Sequence, residues 1–335
     1  MLLPQIGRAG QEKLLRSRAL LIGCGALGTV IADQLARAGI GFLRIVDRDV
    51  VELTNLQRQV LFDESDVGES LPKAIAAARK LARVNSSIAI EPHIADLDSR
   101  NIERFVGDID VILDGTDNVA TRYLINDAAV KLRKPWIYGA CVGTEGRVMT
   151  VRPGEAPCLR CIFPNPPAPS ELPTCDTAGV LGSAAGVVAS LQSVACIKLL
   201  TRERDAIASE LMSIDVWTNR FRAVELTNAR RADCPTCALK RFEFLDARAD
   251  SVSLCGRNAV QVRPTNGGIS EFALPAIEIK LRPFGQTTRT PYFVKCSLRE
   301  HASIELTVFP DGRTIVHGTS DRARARSICA RYVGA

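Results

Sequence analysis

The apolar positions in the first part of the chain form short runs that are separated by stretches of helical periodicity. An apolar run at 19–22 is followed by a helix-like stretch, and a second apolar run ends at Asp47. Further strand-like runs lie at 87–92, 110–114 and 136–139, with helix-like stretches at 72–84, 101–105 and 120–132. Strands that alternate with helices favour a mainly parallel sheet with helices on both faces. The pattern predicts an α/β, Rossmann-like, doubly wound fold.

The pattern changes in the rest of the chain. A strand at 145–151 is followed by a proline-rich crossover at 153–173, a helix of small residues at 178–200 and two strands, expected to pair antiparallel, within 213–226. From about residue 254, short strands are predicted at 259–263, 292–297, 303–309 and 314–317, with helices near 276 and at 320–332. We therefore expect a main domain over 1–240 and a small C-terminal α+β domain over 250–335.

A glycine-rich turn follows the first predicted strand, with the sequence Gly23-Cys24-Gly25-Ala26-Leu27-Gly28. In such a turn the first glycine permits a tight bend, the second lets the backbone approach a phosphate and the third lets the helix pack on the sheet. Asp47, about twenty residues further on, is placed to accept a hydrogen bond from a ribose hydroxyl. The unit predicts nucleotide binding, but dinucleotide dehydrogenases carry the same unit.

Composition narrows the class of protein. The sequence is 46% hydrophobic and 24% charged, as in ordinary globular proteins, and its net charge of +6 does not by itself indicate nucleic acid as a partner. No secretory signal is visible, and we expect charges to interrupt the apolar runs before they could span a membrane. Eleven cysteines without a signal indicate a reducing cytoplasm, where clustered cysteines bind metal or do chemistry.

Two Cys-x-x-Cys pairs stand out, Cys158 with Cys161 and Cys234 with Cys237. Each pair offers half of a tetrahedral zinc site, and two such pairs complete it. Four thiolates leave no open position for a substrate, so the pairs predict a structural zinc that clips the crossover to a distant part of the fold. Redox thiols or accidental pairs are the alternative.

Polar residues near the turn favour a triphosphate over a nicotinamide. Asn55 and Arg58 follow Asp47 closely, and Lys73 stands at the head of the next predicted helix. These side chains are charge-assisted or amide donors, which a γ-phosphate needs. Asp117 follows a central strand, where ligands bind in such sheets, and could hold Mg²⁺.

These motifs fall in the order found in a known family. They are the glycine turn, the segment from Asp47 to Gln59, Val67-Gly68 before Pro72-Lys73, Thr116-Asp117-Asn118, the two cysteine pairs, and Pro173-Thr174-Cys175 before Ala178-Gly179-Val180. Over roughly residues 2–237 the chain resembles the ubiquitin-activating-enzyme-like adenylyltransferases that serve molybdopterin and thiamine biosynthesis. The C-terminal module is similar to an extension of some bacterial members.

The resemblance implies that ATP and Mg²⁺ are used to adenylate the C-terminal glycine of a ubiquitin-like sulfur-carrier protein that ends in Gly-Gly. It implies a homodimer in the cytoplasm, with a sulfur-donor protein as a possible further partner. The site residues it implies are Gly23, Gly25, Ala26, Gly28, Asp47, Thr54, Asn55, Arg58, Lys73, Asp117 and Asn118 for the nucleotide and Mg²⁺, Arg58, Lys73, Asp117 and Cys175 for catalysis, and Cys158, Cys161, Cys234 and Cys237 for zinc.

The role of Cys175 has two interpretations. In some relatives a cysteine at this point bonds covalently to the carrier or takes part in sulfur transfer, and in others it is dispensable; a plain loop cysteine is the alternative.

Three features depart from the family pattern. The family usually has an arginine just before the position of Leu2; no arginine stands there, and Arg8 is not its equivalent. The segment Glu69-Ser70-Leu71 lengthens the link from Gly68 to Lys73. No rhodanese domain follows Cys237. The missing arginine implies a start assigned too late, a different way of neutralising the triphosphate, or weak adenylation.

Two other functions remain open from the sequence. A nicotinamide-dependent oxidoreductase could use the same fold, although none of the three histidines, His93, His301 and His317, has a plausible catalytic setting. A non-catalytic scaffold could bind a carrier without activating it, and the missing arginine favours that alternative. We expect neither nucleic acid nor a membrane as a partner.

Overall fold

The chain divides into two compact units, Met1–Ala247 and Arg248–Ala335. The computed structural model describes residues 3–167, 178–201, 207, 209–247, 251–254, 258–263 and 273–334.

The first unit is built on a sheet of eight described strands. They are β1 (Arg18–Ile22), β2 (Phe42–Asp47), β3 (Ala89–Ile94), β4 (Val111–Asp114), β5 (Trp136–Val142), β6 (Glu145–Val151), β7 (Glu210–Asp215) and β8 (Arg220–Glu225). Their order across the sheet is β3-β2-β1-β4-β5-β6-β7-β8. The first five are parallel to their neighbours, and β6, β7 and β8 extend the sheet antiparallel. The predicted mainly parallel α/β fold is confirmed.

Helices connect and cover these strands. In chain order they are α1 (Gly7–Arg16), α2 (Ala26–Ala38), α3 (Glu64–Gly68), α4 (Lys73–Val84), α5 (Ile102–Val106), α6 (Val119–Lys131), α7 (Leu159–Ile162), α8 (Gly182–Thr201) and α9 (Glu243–Asp246). Because β1 lies between β2 and β4, the connections leave it in opposite directions, and a crevice forms at the carboxyl ends of these strands. This is where ligands bind in open α/β sheets.

Helix α8 is long and apolar enough, by length and composition, to cross a membrane. The expectation that charges interrupt every such run was therefore wrong for this segment. The structure gives another reason for its composition, because α8 packs against α2, β5 and β6 and buries 56% of its most apolar window. A glycine of β5 allows this close packing, because a Cβ at Gly139 would collide with the Gln192 side chain of α8.

The second unit is an antiparallel sheet packed against helices. Its described elements are β9 (Ser251–Leu254), β10 (Ala259–Val262), α10 (Leu274–Leu281), the 3-10 helix Arg282–Phe284, β11 (Gly285–Arg289), β12 (Val294–Leu298), β13 (Glu305–Val308), β14 (Thr314–His317) and α11 (Arg322–Tyr332). The strand order is β11-β12-β13-β14-β10-β9. The predicted α+β class is confirmed, but β9 and β11 were missed; β11 is the largely polar segment GQTTR and has no apolar alternation to reveal it.

Candidate active site

The glycine turn between β1 and α2 is shaped by close contacts of its first and third glycines. Gly23 has a φ of 86°, and a Cβ there would lie 2.7 Å from the Gly115 carbonyl oxygen. A Cβ on Gly28 would overlap the Gly23 carbonyl oxygen. On Gly25, a Cβ would meet only the Gln59 Nε2 atom, at 4.0 Å, among the described residues. The middle glycine therefore borders open space at the helix N-terminus, as a phosphate-binding turn requires.

Asp47 joins the end of β2 to this turn. Its Oδ2 accepts a hydrogen bond from the Cys24 backbone N–H at 2.6 Å, and its Oδ1 accepts one from the Asp49 backbone N–H at 2.7 Å. Burial raises the pKa of the Asp47 carboxyl, and the positive charge of Lys73 opposes this shift. Because a carboxylate oxygen can accept more than one hydrogen bond, Asp47 remains able to bind a ribose hydroxyl beside the turn.

The loop after β2 carries two buried amides. Asn55 is 4% exposed and Gln59 is 3% exposed, and the Asn55 Oδ1 and Gln59 Oε1 atoms find no hydrogen-bond partner in the part of the chain that the structure describes. Arg58 is half-buried, and its Nη1 donates to the carbonyl oxygen of the exposed Thr54 at 3.3 Å. Buried polar groups without partners are rare in folded proteins, so these amides indicate a surface that a ligand completes.

Lys73 is a buried cation at the first position of α4. Its side chain is 3% exposed, and its Nζ lies 3.2 Å from the Asp49 Oδ2. Its backbone N–H donates to the Asp49 carbonyl oxygen at 2.9 Å, which ties the start of α4 to the end of β2. The longer link before Pro72 therefore still brings Lys73 to the strand ends. Its charge acts on both Cys24 and Asp47, and it thus lies close to the glycine turn.

The end of β4 forms the other side of the crevice. Gly115 packs against the glycine turn, since a Cβ there would lie 3.1 Å from the Gly28 Cα. Asp117 follows two residues later and is exposed at this edge. Asn118 caps α6, and its Oδ1 accepts a hydrogen bond from the Thr121 backbone N–H at 3.2 Å. Asp117 thus follows two residues after the glycine that packs on the turn, whereas the Asn118 oxygen is engaged in helix capping.

A buried network beneath the crevice was missed by the sequence reasoning. The Arg122 Nε donates to the Asp114 Oδ2 at 3.1 Å, and its Nη2 donates to the carbonyl oxygens of Thr116 at 2.7 Å and Gly139 at 3.1 Å. The Gln192 Nε2 of α8 donates to the Asp114 carbonyl oxygen at 2.8 Å. Burial raises the pKa of the Asp114 carboxyl, and the Arg122 charge opposes this shift. The network fixes the loop that carries Asp117.

We expect Arg122→Met to destabilise the first unit by about 3–5 kcal/mol, because it leaves Asp114 as a buried charge without its cation. A matched control is Arg37→Met, which breaks the Arg37 pair with Asp33 on the surface of α2. That change should cost at most about 1 kcal/mol. Urea unfolding followed by circular dichroism measures both. Equal unfolding midpoints for the two variants would contradict a structural role for the buried pair.

The two cysteine pairs come together as predicted. The Sγ atoms of Cys158 and Cys161 lie 4.0 Å apart, those of Cys158 and Cys234 3.5 Å apart, and those of Cys161 and Cys237 3.4 Å apart. All four Sγ atoms lie within 4.8 Å of one another and all four residues are buried. With Zn–S bonds of about 2.3 Å, the sulfurs of a tetrahedral site lie about 3.8 Å apart. The cluster fits a structural zinc ion.

Polar contacts hold the cysteine loops against α6. The Thr236 Oγ1 donates to the Asp127 Oδ1 at 2.7 Å, and the Phe244 backbone N–H donates to the Asp127 Oδ2 at 2.9 Å. The Leu159 backbone N–H donates to the Asn126 Oδ1 at 2.9 Å. Outer contacts of this kind orient metal ligands. The cluster therefore joins the crossover, α6 and the chain after β8.

The remaining predicted cysteine, Cys175, is outside the described residues. Cys24, Cys141 and Cys196, which the sequence assigns to packing, are buried. Burial raises the pKa of the Cys24 and Cys196 thiols, which makes thiolate chemistry at either residue unfavourable.

Comparison with known proteins places the first unit in one family. The model of the ThiF family matches residues 1–236. The sulfur carrier protein ThiS adenylyltransferase of Bacillus subtilis (strain 168) is 41% identical over 332 residues, which is 98% of this chain and 96% of that protein. The adenylyltransferase and sulfurtransferase MOCS3 of Anopheles gambiae is 40% identical over 260 residues; these cover 77% of this chain but only 58% of that longer protein.

A solved structure shows the same fold. The crystal structure of E. coli MccB with ATP superimposes with a TM-score of 0.60 at 23% sequence identity, and the match covers 68% of this chain and 69% of that one. At this identity the likeness concerns the fold alone.

Proposed function

This chain belongs to the ThiF family, and we propose that it is an adenylyltransferase that uses ATP to activate the C-terminal carboxylate of a ubiquitin-like sulfur-carrier protein. The observation that carries the proposal is the crevice at the strand ends, where Asp47 and Lys73 lie beside the glycine turn and the following loop buries the Asn55 amide. The relatives named above act in sulfur-carrier chemistry. We therefore propose sulfur transfer for thiamine or molybdopterin biosynthesis, or a related pathway, as its setting.

In the proposed reaction a carboxylate oxygen of the carrier's terminal glycine attacks the α-phosphorus of ATP. The bond between this phosphorus and the bridging oxygen breaks, pyrophosphate leaves with the electron pair, and the carrier becomes an acyl-adenylate. No proton has to move, so the enzyme's task is to position the reactants and to stabilise charge. Lys73 and Arg58 would bind the phosphates that leave, and Asp47 would hold the ribose.

Two metals belong to this proposal. Asp117 would hold Mg²⁺, because an exposed carboxylate at the edge of the crevice is the kind of oxygen ligand that this ion prefers. Mg²⁺ neutralises phosphate charge when bound. Cys158, Cys161, Cys234 and Cys237 would hold a zinc ion that stabilises the fold and takes no part in the reaction.

The remaining assignments concern partners. We propose that the carrier ends in Gly-Gly, that the enzyme works as a homodimer, and that it acts in the cytoplasm, where ATP and reduced thiols are available. Cys175 is the candidate for a covalent step, in which its thiolate attacks the acyl-adenylate, AMP leaves and a thioester remains. A sulfur-donor protein would act after the acyl-adenylate or the thioester has formed.

The test is carrier-dependent exchange of labelled pyrophosphate into ATP. We expect exchange with a Gly-Gly-ended carrier and none with the same carrier lacking its last two glycines. Asp117→Ala should lower the exchange rate about 10²-fold, if loss of this charge costs as much as loss of one transition-state contact. Mass spectrometry of the carrier after the reaction identifies the acyl-adenylate, or a thioester to Cys175.

Other outcomes would support one of the two alternative functions. Absence of exchange, with tight binding of NADH, would contradict the proposal and support an oxidoreductase. Binding of the carrier without exchange would support a scaffold.

A further inference from the structure

We infer that a basic cavity at the amino end of β5 binds a small, multiply charged oxyanion of the phosphate class. The basic cavity is lined by three cationic side chains, those of Arg133, Arg230 and Lys240. It is a second site of the first unit, separate from the crevice of the proposed reaction.

The position of the basic cavity separates it from the crevice. Helix α6 begins beside the crevice, after its N-cap Asn118, and Val130 and Arg133 lie at its far end, before β5. A helix of thirteen residues spans about 20 Å. Pro153 and Gly154 also line the cavity, and they follow β6, which pairs antiparallel with β5. The cavity therefore lies at the amino ends of the parallel strands, whereas the crevice lies at their carboxyl ends.

The basic cavity has room and donors for a small anion. Its volume is about 370 Å³, which is within the range of small-molecule sites. The Arg230 Nη1 donates to the Gly154 carbonyl oxygen at 3.2 Å, and the Lys240 Nζ donates to the Cys237 carbonyl oxygen at 2.9 Å. Both cations are thus held by neutral acceptors, and each keeps further N–H groups for a ligand, because a guanidinium has five donors and an ammonium three.

No carboxylate of the described residues lines this cavity. The acidic residues that adjoin its lining segments are paired with other arginines. The Glu155 Oε2 lies 3.1 Å from the Arg152 Nη1, and the Asp233 Oδ2 lies 2.7 Å from the Arg231 Nη2. Three positive charges around one cavity attract an anion of more than one charge, and a phosphate group accepts charge-assisted hydrogen bonds from several donors at once.

The backbone distinguishes this cavity from an ordinary basic surface. Arg133 has a φ of 53° and Lys240 a φ of 56°, both in the left-handed region that favours glycine. The other described non-glycine residues with positive φ have short side chains; they are Ser70, Asn219 and Asn258. The two long side chains that are held on unfavourable backbone therefore both line the basic cavity. Such strain is characteristic of functional sites, and here the function is to present two cations to one ligand.

The test uses pyrophosphate as the probe, with the crevice filled by a non-hydrolysable ATP analogue. We expect calorimetric titration to show about one further pyrophosphate bound, with an affinity that falls as salt is added. Arg133→Gly and Lys240→Gly should each weaken this binding about 10-fold, as for the loss of a hydrogen bond to a charged group. Asn219→Gly is the matched control for the backbone change, and Arg83→Gln, on the exposed end of α4, is the control for lost charge.

Thermal unfolding without the anion separates strain from a structural role. Glycine relieves left-handed strain, so Arg133→Gly should melt at the wild-type temperature or above it. With the crevice filled, pyrophosphate should raise the melting temperature of the wild type more than that of Arg133→Gly.

Activity and binding together decide the inference. Because the cavity is remote from the crevice, carrier-dependent pyrophosphate exchange by both glycine variants should stay within about twofold of the wild-type rate. Absence of the further pyrophosphate site in the wild type, or unchanged affinity in both glycine variants, would overturn the inference. Equal weakening by Arg83→Gln would also overturn it, since that result indicates an effect of net charge alone. Loss of the site in the glycine variants supports it even if the wild type shows no exchange and the proposed function fails.

Discussion

Cys234→Ala is expected to abolish zinc binding and to lower the melting temperature of the first unit by about 10 °C or more. Structural zinc contributes a binding free energy on the order of 10 kcal/mol in small domains, which is comparable with the whole stability of a typical domain. About 5 kcal/mol of lost stability corresponds to a shift of about 10–20 °C in a unit of this size. The cluster joins chain segments that are 76 residues apart, so its loss frees a long loop.

The matched control for this change is Cys196→Ala. Both cysteines have 0% exposure and both lie in the first unit, but Cys196 belongs to α8 and is not part of the cluster. The control should retain about one equivalent of zinc and lose only the small packing energy of one sulfur atom. Zinc content is measured by elemental analysis and stability by calorimetry. Wild-type protein without zinc, or equal melting temperatures for the two variants, would contradict a structural zinc site.

Local motifs made part of this site predictable from sequence. The glycine turn, Asp47 and the cysteine pairs are defined by spacing within short segments, and the chemistry of each motif requires that spacing. The structure brings the four cysteines together, as predicted. Strand and helix alternation predicted the sheet because buried strands and amphipathic helices leave different periodicities.

Other features depend on contacts between distant segments and left no local signal. The Arg122 pair with Asp114 is short-range, but the Gln192 bond to the same strand spans 78 residues. The burial of the Gln59 Oε1 without a partner among the described residues is visible only when the loop after β2 is folded. The apolar character of helix α8 could have been read from its composition, but its burial against α2, β5 and β6 is visible only in the fold.

Lys73→Met is expected to lower kcat/KM for ATP about 10³-fold while leaving AMP binding unchanged within about twofold. Lys73 is a buried cation whose Nζ lies 3.2 Å from the Asp49 Oδ2, and its charge acts on the glycine turn. If it binds the phosphates that leave as pyrophosphate, its loss must affect ligands that carry these phosphates and spare AMP.

Lys80→Met is the matched control, because Lys80 lies on the same helix, α4, and is also paired with a buried carboxylate, that of Asp66 at 2.7 Å. It should change kcat/KM for ATP by no more than about twofold. Loss of AMP binding in Lys73→Met would indicate that Lys73 supports the turn and does not contact the leaving phosphates. Lys73→Arg separates the two roles further, since it keeps the positive charge but replaces the compact ammonium group with a planar guanidinium. A partial recovery of ATP turnover in Lys73→Arg, with AMP binding unchanged in both variants, is the result expected from a phosphate contact.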